Sequence, residues 1–137
     1  METTDPKAKI LVIDDDPDFV KVVSMMLESG PYTVVTAKDP QEGKEKLFAE
    51  KPDLILLDIM MDSLFDGYSL CNDIKTSQEY EEFREVPIIF CSAVKEIAGS
   101  RFNFGTEQQS LTGPDDYIDK PVQSEDLFAR IEKLLKK

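Results

Sequence analysis

Histidine is missing from the sequence altogether. Its absence excludes Ser–His and Cys–His nucleophilic catalysis and any metal site built on imidazole. Cysteine is scarce, with Cys71 and Cys91 the two present. Two isolated thiols make neither a disulfide framework nor a zinc site. Cys91, inside the apolar run VPIIFCSA, reads as a small buried hydrophobe. Long hydrophobic runs are also lacking; none approaches the roughly 20 residues needed to cross a bilayer. The start, METTDPKAKI, has neither the basic nor the apolar region of a signal peptide. A cytoplasmic protein with no membrane partner is the expectation. Basic residues are outnumbered, 16 against 28 acidic, for a formal net charge of −12. Such a surface is not expected to bind nucleic acid directly, because that depends on Lys and Arg neutralising phosphates. It does leave room for a cation wherever carboxylates converge.

What is present is enough for one core. The 137 residues, 41% of them hydrophobic, suit a single domain spanning 1–137. No repeat, linker or second domain is visible, and no output domain is expected. Five short apolar runs alternate with helical stretches: KAKILVID, YTVVTA, PDLILLD, VPIIFCSA and DYID. After the first run, Phe19, Val22, Val23 and Met26 recur with the spacing of an amphipathic helix. Asp16 is its expected N-cap with Pro17 at the first helical position, and Gly30 closes it. Asp39–Pro40 repeats that chemistry, and Glu42 with Lys46 reads as a solvated i, i+4 pair. Leu70 and Ile74 share a face of the next helix, before the polar stretch TSQEYEEFRE. Ser124 begins the last helix, with Leu127, Phe128, Ile131, Leu134 and Leu135 as its buried stripe. Continuous apolar strands separated by helices imply a five-stranded parallel sheet, doubly wound, in an α/β domain.

In such sheets ligands bind beyond the carboxyl ends of the strands. The first strand ends at VIDDD, the third at Asp58, the fourth at Ser92, and the fifth leads to Lys120. One edge is therefore expected to collect Asp14, Asp15, Asp58, a hydroxyl and an ammonium. Singly, these have ordinary explanations: Asp16 as a cap, Ser92 as a turn former, Lys120 as a loop residue. On successive strand ends they support one another. Carboxylates this close repel unless a cation lies between them, and hard oxygen ligands suit Mg²⁺. Asp58 could then attack phosphorus to give an acyl phosphate, with Lys120 offsetting charge on the phosphoryl oxygens and Ser92 hydrogen-bonding to them.

The segments ILVIDDDPDF, LILLDIMM, IIFCSA and DYIDKP, in that order, resemble the signatures of the response-regulator receiver domain of two-component signalling. The resemblance covers nearly the whole chain. It implies a flavodoxin-like fold with strand order 2-1-3-4-5, as in the chemotaxis receiver. It implies that Asp58 is the phosphoacceptor for a sensor histidine kinase or histidine phosphotransfer protein. Asp15, Asp58 and the Met60 carbonyl would bind Mg²⁺, Asp14 through a water. Ser92 and Tyr117 fill the places of the switching pair, Lys120–Pro121 that of the cis peptide, and phosphorylation would switch a protein-binding surface. Such a domain catalyses its own phosphorylation and dephosphorylation and is not otherwise an enzyme. Met60 and Val94 flank the pocket and are expected to govern water access.

Three features depart from the family. Asp62 stands where a proline is common, and the loop to Asp66–Gly67 is one residue longer. The segment from Ser92 to Lys120 is longer than usual and lacks the familiar fourth-helix pattern, so a remodelled 95–115 region, altering partner choice, is expected. The chain ends with the last helix, fitting either a protein that works alone or a piece of a larger one. Two other functions compete. A haloacid-dehalogenase-type phosphatase also uses a strand-end Asp with Mg²⁺; Asp14 and Asp16 give the Asp-x-Asp spacing of its motif, but Asp18 occupies the place given to Thr or Val. A pseudo-receiver scaffold is opposed by the retained Asp14, Asp15, Asp58, Ser92 and Lys120.

Overall fold

The computed structural model describes residues 8–59, 66–92 and 114–135. Five parallel strands, β1 (Ala8–Ile13), β2 (Tyr32–Ala37), β3 (Leu54–Asp58), β4 (Ile88–Ser92) and β5 (Asp116–Asp119), form one sheet in the order 2-1-3-4-5. Helices α1 (Pro17–Glu28), α2 (Pro40–Glu50), α3 (Asp66–Thr76) and α4 (Ser124–Leu135) pack on it, with a 3₁₀ helix at Gln78–Phe83. This is the expected doubly wound architecture. Among the described residues no helix is long and apolar enough to cross a membrane. The expectation of a remodelled 95–115 region falls almost wholly outside the described residues, as do Met60, Asp62 and Val94.

Strand alternation divides the core in two. Ile10 and Val12 of β1, with Leu54 and Leu56 of β3, face Val23 and Leu27 of α1 and Leu127 and Ile131 of α4. Leu11, Ile13, Ile55 and Leu57 face the other way, onto Leu47 of α2 and Leu70, Cys71 and Ile74 of α3. Side chains from the sheet interior are withdrawn from water on both faces, which is why the strands read as unbroken apolar runs. Each fully buried Leu or Ile contributes roughly 1.5–3 kcal/mol.

Local chemistry starts the helices. Asp16 Oδ1 accepts from the backbone N–H of Asp18 at 3.0 Å and of Phe19 at 3.4 Å, and Pro17 opens α1. Asp39 Oδ1 accepts from Glu42 N at 2.8 Å, and Pro40 opens α2. These caps satisfy N–H groups that the first helical turn leaves without partners.

Two expectations need correction, and a stretch without an assigned structure gains one. Val22, expected on the amphipathic stripe of α1, is 51% exposed, as Met25 is at 63%. The inward face runs through Phe19, Val20, Val23, Met26 and Leu27. So many apolar residues in one helix fit more than one stripe, and the sheet decides among them. Glu42 does not pair with Lys46; its carboxylate reaches back to accept from Lys38 N at 2.8 Å, bracing the start of α2. The polar stretch after α3 holds the 3₁₀ helix, which buries Tyr80 and Phe83. Phe48 of α2 stacks on Tyr80 at 5.5 Å and meets Phe83 edge-on at 5.1 Å. Lys44 and Lys51 lie over those two rings while pairing with Glu79 and Glu82. The acidic residues conceal two aromatic anchors at a spacing of three, the period of a 3₁₀ turn. Phe83→Ala is therefore expected to lower unfolding free energy by about 3–5 kcal/mol in denaturant titration. A loss below about 1 kcal/mol would show that this short helix is peripheral.

Candidate functional site at the carboxyl edge of the sheet

The strand register builds the site. Ile13 of β1 stands beside Leu57 of β3, so Asp14 and Asp58, one step on, arrive side by side. Asp58 is also the register partner of Cys91 in β4, which pairs in turn with Ile118 of β5. Lys120 follows two residues later, close enough to reach back across β4.

Asp14 and Asp58 are the two buried charged residues among those described, 2% and 6% exposed. Asp14 Oδ1 accepts from Asp16 N at 2.9 Å, and its other oxygen accepts from Lys120 Nζ at 2.9 Å. The same ammonium stands 3.7 Å from Asp58 Oδ1, beyond a direct hydrogen bond but within strong Coulombic reach. Asp15 is exposed, and ligand oxygens of Asp14, Asp15 and Asp58 all lie within 4.8 Å of one another. Burial by itself would lower the Lys120 pKa. The Asp14 hydrogen bond and the charges of Asp58 and Asp14 outweigh it and hold the ammonium protonated above its ordinary value. Phe19 of α1 presents its ring to this ammonium, 4.3 Å from centroid to Nζ. The Lys120–Pro121 peptide is cis, as the resemblance implied.

The structure thus brings Asp14, Asp15, Asp58 and Lys120 together. Tyr117 lies on β5, half-buried, its ring edge-on to Phe90 at 5.7 Å. Ser92 ends β4, but its side chain, like Met60, is outside the described residues. Beside the site, burial pushes the Cys91 thiol pKa up, and it does the same to Cys71, to about 12. Neither thiol is an available nucleophile at neutral pH.

The donor set fits a hard divalent cation. All three side chains offer oxygen, and among the described residues three carboxylates face one ammonium, leaving negative charge for a cation to offset. The phosphatase alternative fits less well, because the Asp16 carboxylate, the second Asp of its motif, is engaged in capping α1.

A family model described as the response regulator receiver domain matches residues 10–132. The chain belongs to that family. The receiver is 37% identical over 131 residues to the probable transcriptional regulator ycf27 of Guillardia theta, covering 96% of this chain and 46% of that protein. It is 33% identical to the DNA-binding dual master transcriptional regulator RpaA of Synechocystis, covering 94% and 49%. The chain therefore spans about half the length of the curated relatives it matches. The crystal structure of the NtrX receiver domain from Brucella abortus superposes with a TM-score of 0.73 at 27% identity, covering 93% of this chain and 98% of that one. The two curated relatives are named as transcriptional regulators, and the chain shares the receiver role of the family. They do not support the expectation, drawn from net charge, that nucleic acid is not bound directly; one of them is named as DNA-binding.

Gly67 is a requirement that periodicity does not reveal, although its place after Asp66 matched the family pattern. Its N–H donates to Ile59 O at 3.1 Å, drawing the start of α3 against the end of β3. A Cβ there would lie 2.5 Å from Asp58 O and 2.6 Å from Ile59 Cα, both rigid backbone atoms. Gly67→Ala is expected to destabilise the fold by about 1–3 kcal/mol and shift Asp58 relative to Lys120. Unchanged thermal stability and unchanged Asp58 backbone amide shifts in that variant would contradict this.

Proposed function

We propose that Asp58 is the phosphoacceptor, in a cytoplasmic relay fed by a sensor histidine kinase or histidine phosphotransfer protein. An Asp58 carboxylate oxygen attacks the phosphorus of the partner's phosphohistidine. The new P–O bond forms as the P–N bond breaks, and the departing imidazole keeps the electron pair and takes up a proton. The ammonium of Lys120 stabilises charge on the transferring phosphoryl oxygens, and its 3.7 Å approach to Asp58 is the observation that best supports the reading. Asp14, Asp15 and Asp58 would hold Mg²⁺, with the Met60 carbonyl that the family resemblance implies, and the ion would there neutralise phosphoryl charge. Lys120 keeps Asp14 partnered by a cation, and Asp14 in turn holds the turn into α1 through Asp16 N.

Ser92 and Tyr117 are proposed as the pair that reports phosphorylation to a protein-binding surface, by shifting an equilibrium between two arrangements. Since relatives are named as transcriptional regulators, transcription is the favoured destination of the signal.

Incubation with Mg²⁺ and acetyl phosphate, followed by intact mass measurement, tests the central assignment. One phosphate adduct is expected in the unaltered protein and none in Asp58→Asn. Lys120→Ala should slow adduct formation on the order of 10²-fold. An adduct that persists in Asp58→Asn would move the acceptor elsewhere. Absence of any adduct would leave a scaffold, and steady phosphate release from phosphomonoesters would favour the phosphatase.

A further inference from the structure

The Lys120 ammonium has a third described neighbour besides Asp14 and Asp58. The centroid of the Phe19 ring lies 4.3 Å from Nζ, well inside the roughly 6 Å over which a ring face attracts a cation. Phe19 is itself held in place. Its backbone N–H is received by the Asp16 cap at 3.4 Å, and its side chain packs against the core shared by α1 and α4.

We infer that Phe19 is a positioning residue for phosphoryl transfer, its ring face holding the Lys120 ammonium at the rim shared by Asp14 and Asp58. The inference rests on the reading of Asp58 as phosphoacceptor. Lysine is a point charge on a flexible four-carbon stem, and here 22% of the side chain remains exposed. Asp14 alone could tether it at 2.9 Å, but a directional bond to a carboxylate must weaken as the ammonium turns toward an incoming phosphoryl group. An aromatic face attracts without a fixed donor–acceptor line, so the ammonium can shift between Asp14 and the phosphoryl oxygens without losing that contact. The ring also adds no negative charge to a pocket that must admit an anion. A fourth carboxylate would hold the lysine as firmly and repel the substrate.

Graded fluorination of the Phe19 ring, introduced at this position in the full chain, separates cation attraction from packing. It drains the ring face of negative charge while nearly preserving shape. The rate of Asp58 phosphorylation by acetyl phosphate with Mg²⁺ should fall stepwise with each fluorine, to roughly one-tenth for the trifluoro ring. Phe19→Tyr and Phe19→Trp should retain the rate, and Phe19→Leu should lose it. In the unaltered protein, the Lys120 Cε protons should show an upfield ring-current shift that Phe19→Leu abolishes. A rate indifferent to fluorination, in protein that takes phosphate normally, would overturn the inference and leave the phosphoacceptor reading intact. Failure of the unaltered protein to form an adduct at Asp58 would sink that reading, and the inference with it.

Discussion

Two carboxylates, Asp14 and Asp58, are almost wholly withdrawn from water at the carboxyl edge of the sheet, and the Lys120 ammonium stands against both. Burying a charge is costly unless it is paired and hydrogen-bonded. Asp14 meets that condition through Lys120 and Asp16 N, a link that spans 106 positions of sequence. The contact ties the end of β5 to the end of β1, although β3 and β4 lie between them in the sheet. Parallel strands make this possible, because all their carboxyl ends fall on one edge.

The same interaction defines what the edge can do. Among the described residues one ammonium faces three carboxylates, a charge balance that favours a further cation when a phosphoryl group arrives. A receiver domain must nonetheless bring a nucleophilic carboxylate to an anionic phosphorus. The geometry reconciles these demands by separating roles. Asp14 anchors the lysine, Asp15 stays open to solvent, and Asp58 lies close to the lysine without a direct hydrogen bond to it. Gly67 lets α3 approach the backbone that carries Asp58.

Much of this was legible in the residues. Apolar runs that end in acids located the strands and their functional edge, and Asp16–Pro17 and Asp39–Pro40 marked two helix starts. The strand order was not derivable from local pattern; it came with the family resemblance. Elsewhere the signals were ambiguous or absent. Apolar periodicity in α1 allowed Val22 to point inward, because competing stripes differ by a single residue and packing chooses between them. Tyr80 and Phe83 were hidden by their acidic neighbours, since a 3₁₀ turn is too short to build a recognisable moment. The approach of Phe19 to Lys120 had no signature, because it joins residues distant in sequence through the closing of the fold. Phe19 read simply as core, and it is core on one side.

The relatives place the same domain within proteins about twice as long, some of them named as regulators of transcription. In the proposed function, the domain would supply a site whose charge changes when phosphate arrives. The account depends on that site drawing in a divalent cation. Calorimetric titration of Mg²⁺ into the intact protein, beside Asp15→Asn and Asp58→Asn, tests this most directly. The account predicts one saturable Mg²⁺ per chain, weakened roughly tenfold or more in each variant. Saturable binding that both variants retain at full strength, or no saturable binding at all, would contradict it.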